Sequence, residues 1–221
     1  MSHPRVPVPR FSRSETARAE AFSDGVFAIA VTILVLGLAT PAHQTGDLGR
    51  ALARQWPSYL GYVASFSYIA VIWLNHHQAF VRIRSMDRGL HAANLFLLFT
   101  TAALPFPTAV VAEALKADVF GGDARIAVAL YSGIAAAMCL SWTMLYHHLG
   151  RHPELVDDSV EPDYVRHGLI RSRVGMLVYA VLGVVGYLVT PLIALVGFLV
   201  LPAFYFVTSE GLPGGRDAAA G

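Results

Sequence analysis

Residues 18–40, RAEAFSDGVFAIAVTILVLGLAT, begin with polar groups and continue as an apolar run. Arg18, Glu20 and Asp24 carry the charges of this stretch, and no further charge follows before Asp47. A helix needs about 20 apolar residues to span the roughly 30 Å of hydrocarbon in a bilayer. The stretch therefore predicts a membrane-spanning helix over residues 21–40.

Four further runs lack Asp, Glu, Lys and Arg, namely residues 55–81, 89–112, 126–150 and 174–209. The last run is too long for one crossing, and Thr190-Pro191 near its middle favours a break into two helices. Pro105 and Pro107 predict a kink within the third span. The predicted fold is an all-α integral membrane protein with six transmembrane helices, near residues 21–40, 56–81, 89–112, 126–148, 173–190 and 192–208.

The composition excludes several classes of protein. Of the 221 residues, 55% are apolar and 14% are charged, whereas soluble domains carry about 25% charged residues. An ordinary soluble enzyme, a disordered chain and a nucleic-acid binder with a broad basic face are therefore excluded. The single cysteine, Cys139, excludes a disulfide framework and a Cys-based metal site.

Sequence signatures of catalysis and of cofactor binding are absent. The chain has no Walker A loop and no HExxH, GxSxG, CxxC or GxGxxG motif, so we expect neither enzymatic activity nor a bound cofactor. The TVGYG filter of tetrameric potassium channels is also absent. The arginines lie in loops and at helix ends, which does not fit a voltage sensor.

The distribution of basic residues predicts the topology. An even number of spans places both termini on one side, and of the 16 basic residues only Arg50, Arg54, Lys116 and Arg125 fall on the other side. Basic residues favour the cytoplasm, so both termini are predicted to be cytoplasmic. Residues 1–17 and 211–221 are predicted to be disordered, and no role follows for the acidic loop of residues 152–167.

Polar groups at the start of the first span form one candidate functional cluster. Arg18 and Asp24 are six residues apart, which is beyond the i,i+4 spacing at which side chains pair on one helix. They therefore need partners on other helices. The alternative is that Ser23 and Asp24 only cap the helix, since both residue types are preferred at that position.

A second polar group, formed by Trp73, Asn75, His76 and His77, lies near the end of the second span. Because consecutive spans are antiparallel, this end reaches the same side of the membrane as Asp24. A cluster that joins the two groups is geometrically reasonable. The alternative is that the histidines extend into the lipid headgroups and that Trp73 is an interfacial aromatic residue.

Histidine pairs are the remaining candidates for metal binding. His76 and His77 are adjacent, and adjacent helical residues diverge by about 100°, so they cannot face one ion. His148 and His152 are at i,i+4 and could share a helix face. They lie at a helix end close to the acidic loop, which favours a solvated cluster, so no metal site is predicted.

The run RAEAFSDGVFAIAVT, residues 18–32, closely resembles the RxxxFSD signature of the transmembrane protein 175 family of potassium channels. The resemblance extends over most of the apolar chain. It includes Ser58-Tyr59, Ser65-Phe66, Trp73-x-x-His76-His77, Asn94-Leu95, Leu104-Pro-Phe-Pro-Thr108, Leu130-Tyr131 and Trp142.

The resemblance implies a six-helix channel domain, here residues 18–210, whose first helix lines a central pore. Prokaryotic members carry one repeat and assemble as tetramers, and this chain has a single RxxxFSD. We therefore expect a homotetramer with four copies of the first helix around the axis, in a lipid bilayer that we expect to be the bacterial plasma membrane. The expected permeating ion is K⁺ among the monovalent cations, and no nucleic acid is expected to bind.

The resemblance also assigns site residues. Ile29 would form the narrowest layer of the pore, Ile33 and Leu36 would form further layers, and Thr32 matches a hydroxyl position associated with cation preference. Periodicity alone could not select this stripe, because the helix is apolar all round after Asp24. An interhelical polar network below the pore would comprise Arg18, Phe22, Ser23, Asp24, Trp73, His76 and His77, with a structural role and pH sensitivity through a histidine.

Two functional hypotheses follow. The first is a potassium-permeable cation channel with a hydrophobic constriction formed by Ile29, Ile33 and Leu36. The second is a proton-conducting or proton-coupled transporter in which Asp24, His76 and His77 relay protons and the apolar stripe only packs. A non-conducting scaffold is a third class.

Overall fold

The chain forms an all-helical structure in the computed structural model, which describes residues 10–161 and 163–207, with side chains over residues 15–161 and 163–206. The helices are α1 (Arg10–Ile33), continued by a 3₁₀ turn (Leu34–Gly37), α2 (Leu48–Arg54), α3 (Trp56–Val81), α4 (Arg88–Ala103), α5 (Pro105–Ala117), α6 (Gly122–Arg151), α7 (Tyr164–Leu188) and α8 (Pro191–Val207).

Five segments are long and apolar enough to cross a membrane, namely Glu15–Gly37, Trp56–Val81, Arg88–Ala117, Gly122–Arg151 and Tyr164–Leu188. Helix α8 is also apolar but shorter, with 17 residues. The predicted all-helical membrane architecture is therefore confirmed. The predicted break near Thr190 is confirmed as well, because α7 ends at Leu188 and α8 begins at Pro191.

Helix α1 begins earlier than the sequence predicted. It starts at Arg10, within the segment 1–17 that was predicted to be disordered. Residues 15–21 are rich in Ala, Glu and Arg, which have high helix propensity, and they extend the apolar helix by further turns. Residues 1–9 and the predicted disordered tail, 211–221, lie outside the described part of the chain.

The two prolines of the third span produce the predicted interruption. Helix α4 ends at Ala103 and α5 begins at Pro105, with Leu104 between them. Pro105 has no N–H to donate to the carbonyl of Thr101, which accepts the N–H of Leu104 at 3.1 Å instead. The Thr101 carbonyl, which Pro105 cannot serve, is thus paired within the segment, as a membrane interior favours.

The acidic loop packs against the connection between α3 and α4. An isolated antiparallel bridge joins Ile83 to Val156. The N–H of Arg84 donates to the carbonyl of Leu155 at 2.7 Å, and the Arg84 side chain forms an ion pair with Asp158. Backbone hydrogen bonds therefore hold the loop against the helical bundle. The sequence did not predict these contacts.

Helices α6 and α7 pack closely through glycines of α7. A Cβ atom at Gly183 would lie 2.7 Å from the Cβ of Ser132, and one at Gly168 would lie 2.4 Å from the ring of Tyr146. Small residues at helix contacts allow the backbones to approach, which is a main source of association between helices in membranes. The α7 face that carries Gly168 and Gly183 therefore sets the distance between α6 and α7.

Replacing Gly183 with alanine is expected to destabilise the protein by about 1–3 kcal/mol, because the added methyl group overpacks the contact with Ser132. Gly133→Ala is the matched control, since a Cβ atom there meets nothing within 4 Å. We expect this control to be neutral or slightly stabilising, because alanine favours the helix. Thermal unfolding of the two variants in the same detergent measures the difference, and equal unfolding temperatures would contradict the packing argument.

Candidate functional site

Helix α1 has one face packed against the chain and one face without a partner among the described residues. The packed face contacts α3 and α4 and carries the buried residues Ser23, Phe27, Ala30 and Leu34. On the opposite face, Ile29 is 59% exposed and Leu36 is 76% exposed. The remaining exposed side chains of this face are Arg18, Phe22, Thr32 and Ile33.

All four residues predicted to line a pore therefore lie on this exposed face, with Ile29, Thr32 and Ile33 in α1 and Leu36 in the 3₁₀ turn that continues it. Their spacing follows the turns of the helix, and Gly25 lies in the same stripe, with nothing within 4 Å of its Cβ position. The Thr32 hydroxyl donates to the carbonyl of Ile29 at 2.9 Å. We call this exposed face, formed by Phe22, Gly25, Ile29, Thr32, Ile33 and Leu36, the α1 stripe.

Behind the α1 stripe, a buried chain of hydrogen bonds connects three helices. The Asn94 side chain on α4 donates from Nδ2 to Ser23 Oγ on α1 at 3.0 Å. Its Oδ1 atom accepts from Nε2 of His76 on α3, also at 3.0 Å. Ser23 and His76 are 0% exposed. The three side chains therefore bond to one another in a buried region between the helices.

The structure decides between the alternatives that the sequence left open for Ser23 and His76. Helix α1 begins at Arg10, so Ser23 and Asp24 lie inside the helix and do not cap it. His76 is fully buried and stacks on Phe80 with the ring centroids 4.0 Å apart, so it does not extend into the headgroups. The Nδ1 atom of His76 has no hydrogen-bond partner among the described residues, which fits a neutral ring.

A more exposed set of polar contacts also joins α1 to α3. Trp73 donates from Nε1 to Asp24 Oδ1 at 2.9 Å, and His77 Nδ1 lies 2.9 Å from Glu20 Oε1. The rings of Trp73 and His77 stack with centroids 6.2 Å apart. These contacts fix the polar end of α1 on the neighbouring helix.

The residues predicted to form one network thus fall into separate groups. Ser23 and His76 both bond to Asn94. Asp24 and His77 lie in the more exposed set of contacts, where they bond to Trp73 and Glu20 respectively. Arg18 and Phe22 lie on the exposed face of α1. Asn94 and Glu20 belong to these groups, although the sequence did not predict them as network members. An amide within the apolar run 89–112 was the available signal, because polar groups inside membranes are costly unless they are paired.

A second buried polar cluster joins α3, α5 and α6. The hydroxyl groups of Ser65 and Thr108 are 2.7 Å apart, and Ser65 Oγ lies 3.2 Å from the Tyr131 hydroxyl group. All three residues belong to the segments that carry the family resemblance. Their contact indicates that these polar positions hold the helices together.

The fold defines the chain as an all-helical integral membrane protein, and comparison with known proteins identifies its family. A family described as "Endosomal/lysosomal potassium channel TMEM175" matches residues 18–105. A potassium channel of Streptomyces collinus is 44% identical over 167 residues, which cover 75% of this chain and 80% of that protein. The chain therefore belongs to the TMEM175 family, as the sequence resemblance indicated.

Other relatives extend the comparison. The crystal structure of a lysosomal potassium-selective channel TMEM175 homolog from Chamaesiphon minutus matches with a TM-score of 0.76 and 35% identity, covering 89% of this chain and 99% of that one. The human endosomal/lysosomal proton channel TMEM175 is 33% identical over 97 residues, which are 40% of this chain and 19% of that protein. The bacterial relatives and the apolar helices place this chain in a bacterial membrane.

Proposed function

We propose that this protein is a potassium-permeable cation channel, formed by four copies with the α1 stripes facing a central axis. The observation that carries the proposal is the unpartnered apolar face of α1, opposite a face that is well packed. A cyclic assembly gives that face a partner in every copy. Bacterial relatives named as potassium channels support K⁺ as the permeating ion.

In this arrangement, Ile29, Ile33 and Leu36 form successive apolar rings along the pore. With a rise of about 1.5 Å per residue in α1 and about 2.0 Å in the 3₁₀ turn, the layers from Ile29 to Leu36 extend over roughly 12 Å. A constriction of this kind restricts passage by excluding water from a narrow apolar segment. Thr32 offers the hydroxyl oxygen within this stretch, and its bond to the Ile29 carbonyl leaves oxygen lone pairs for a cation.

In the proposed six-span topology, the polar end of α1 lies in the cytoplasm. Five long helices and α8 supply the six crossings, and the excess of basic residues on one side supports cytoplasmic termini. Asp24 and Glu20 then lie beside the inner mouth, where they bond to Trp73 and His77 on α3. Arg18 lies at the same end on the exposed face of α1, so the inner mouth carries charges of both signs.

Proton conduction is the competing function, since the human relative is named a proton channel. A relay through Asp24, His76 and His77 requires proton donors and acceptors in sequence. In the structure each of the three bonds to a different partner, namely Trp73, Asn94 and Glu20 respectively. This separation favours cation conduction through the α1 stripe.

Flux measurements on purified protein in liposomes distinguish these functions. We expect K⁺-dependent flux that exceeds the flux with Na⁺ and persists without a pH gradient, because the constriction is apolar and carries no proton-exchanging group. Asp24→Asn is expected to lower the flux only modestly, since it removes a charge at the mouth. Flux that follows only a pH gradient and disappears in Asp24→Asn would establish the proton hypothesis, and no flux in either assay would indicate a scaffold.

A further inference from the structure

A cluster of metal-ligating side chains lies away from the α1 stripe, where α4 begins and α6 ends. Asp87, His148 and His152 each offer one ligand atom, and these atoms all lie within 4.8 Å of one another. His148 Nε2 is 2.8 and 2.9 Å from the two carboxylate oxygens of Asp87. The rings of His148 and His152 are 4.5 Å apart.

The local structure presents these groups as a set. His148 lies in the last turn of α6, and His152 follows the helix as its C-cap, with its backbone N–H donating to the His148 carbonyl at 3.0 Å. The two residues keep the i,i+4 spacing at which two histidines on one helix bind zinc. Asp87 approaches from the start of α4. The ring of His148 lies against Gly89, where a Cβ atom would be 2.2 Å from His148 Cε1, so only glycine admits this position of the ring.

An outer carboxylate completes the arrangement. His152 Nδ1 is 3.0 Å from Glu154 Oε1. A neutral His152 that donates this N–H to Glu154 carries its lone pair on Nε2, where a metal ion can bind. Histidines that bind metals characteristically donate their other ring N–H to a carboxylate or a carbonyl in this way. The contact with Glu154 is thus independent support for a ligand at His152.

We propose that Asp87, His148 and His152 bind a divalent transition-metal ion such as Zn²⁺, which joins α4 to the end of α6. Two imidazoles and a carboxylate are the donor set that such ions accept. Tetrahedral bonds of about 2.0–2.1 Å place ligand atoms roughly 3.3 Å apart, so small side-chain rotations bring the present atoms to that spacing. Metal binding replaces the hydrogen bond between His148 and Asp87 with two coordinate bonds.

Metal retention by the purified, untagged full-length protein tests this site. After incubation with ZnCl₂ and removal of free metal on a desalting column, we expect one zinc per chain by mass spectrometry of the metal content. His148→Gln/His152→Gln is expected to retain less than about a tenth of that amount. Glu154→Gln should weaken binding by about 10–100-fold, because it removes the outer carboxylate.

Two further variants separate a metal site from a simple hydrogen-bonded cap. Asp87 caps α4 by accepting the N–H of Leu90 at 2.8 Å, and asparagine is an equally good cap. Asp87→Asn should therefore keep the circular dichroism spectrum but lose zinc. His147→Gln changes an exposed neighbour on another side of α6 and should retain zinc fully.

The outcomes are unambiguous. If the unaltered protein retains no more zinc than His148→Gln/His152→Gln, the three side chains only form a hydrogen-bonded cap and the proposal is wrong. Equal loss in His147→Gln would also overturn it, because the zinc would then be bound unspecifically by surface histidines. Cobalt provides a second measurement, since Co²⁺ in a tetrahedral site of nitrogen and oxygen ligands gives visible absorption that the double variant should lack.

Discussion

Ile29→Asn is expected to increase K⁺ flux at least tenfold and to reduce the preference for K⁺ over Na⁺. Four apolar side chains at the narrowest layer disfavour water and partly dehydrated ions there. Asparagine supplies an amide oxygen and two N–H donors on a smaller side chain, so the layer becomes both wider and hydrated. A reduction of about 1.4 kcal/mol in the barrier is enough for a tenfold increase in rate.

Ile126→Asn is the matched control for this experiment. Ile126 lies on α6 and is 59% exposed, the same fraction as Ile29, but it is not on α1. Both variants place the same amide on the surface of one chain, so a general disturbance of membrane insertion affects both. Liposome flux with K⁺, Na⁺ and Cs⁺ should change only in Ile29→Asn. Parallel changes in the two variants would show that Ile29 does not line the pore.

Much of the fold could be predicted because membrane helices have a simple physical signature. Charge-free runs identified the spans, and prolines identified the interruptions at Leu104 and near Thr190. The start of α1 could not be predicted in the same way. Its first turns combine charges with good helix formers, and composition alone does not distinguish such a segment from a solvated chain.

The candidate site was less predictable, because its contacts join distant parts of the chain. The spacing of His148 and His152 was visible in the sequence, but their contact with Asp87 depends on how α4 packs against α6. Similarly, periodicity could not select the exposed face of α1, since the helix is apolar all round. The family resemblance indicated Ile29 as a pore residue, and the structure shows that packing within a single chain leaves this side chain exposed.

The buried chain through Asn94 predicts the second large effect. Asn94→Leu removes the acceptor for His76 Nε2–H in a buried site, which should destabilise the protein by about 1–3 kcal/mol. His76→Phe should cost a similar amount, because it leaves the Asn94 carbonyl oxygen without its donor. Ser23 is less affected by the loss of Asn94, since its hydroxyl still donates to the Ala19 carbonyl at 2.8 Å.

The double variant His76→Phe/Asn94→Leu is expected to lie within about 1 kcal/mol of the unaltered protein, because replacing both partners by apolar groups leaves no unsatisfied polar atom between them. Phenylalanine keeps the stacking on Phe80 that the histidine ring makes. Unfolding free energies of the four proteins in mixed micelles give the coupling, which we expect to approach the sum of the two single losses, roughly 2–6 kcal/mol, less the small loss of the double variant. Additive losses would show that the two side chains act separately.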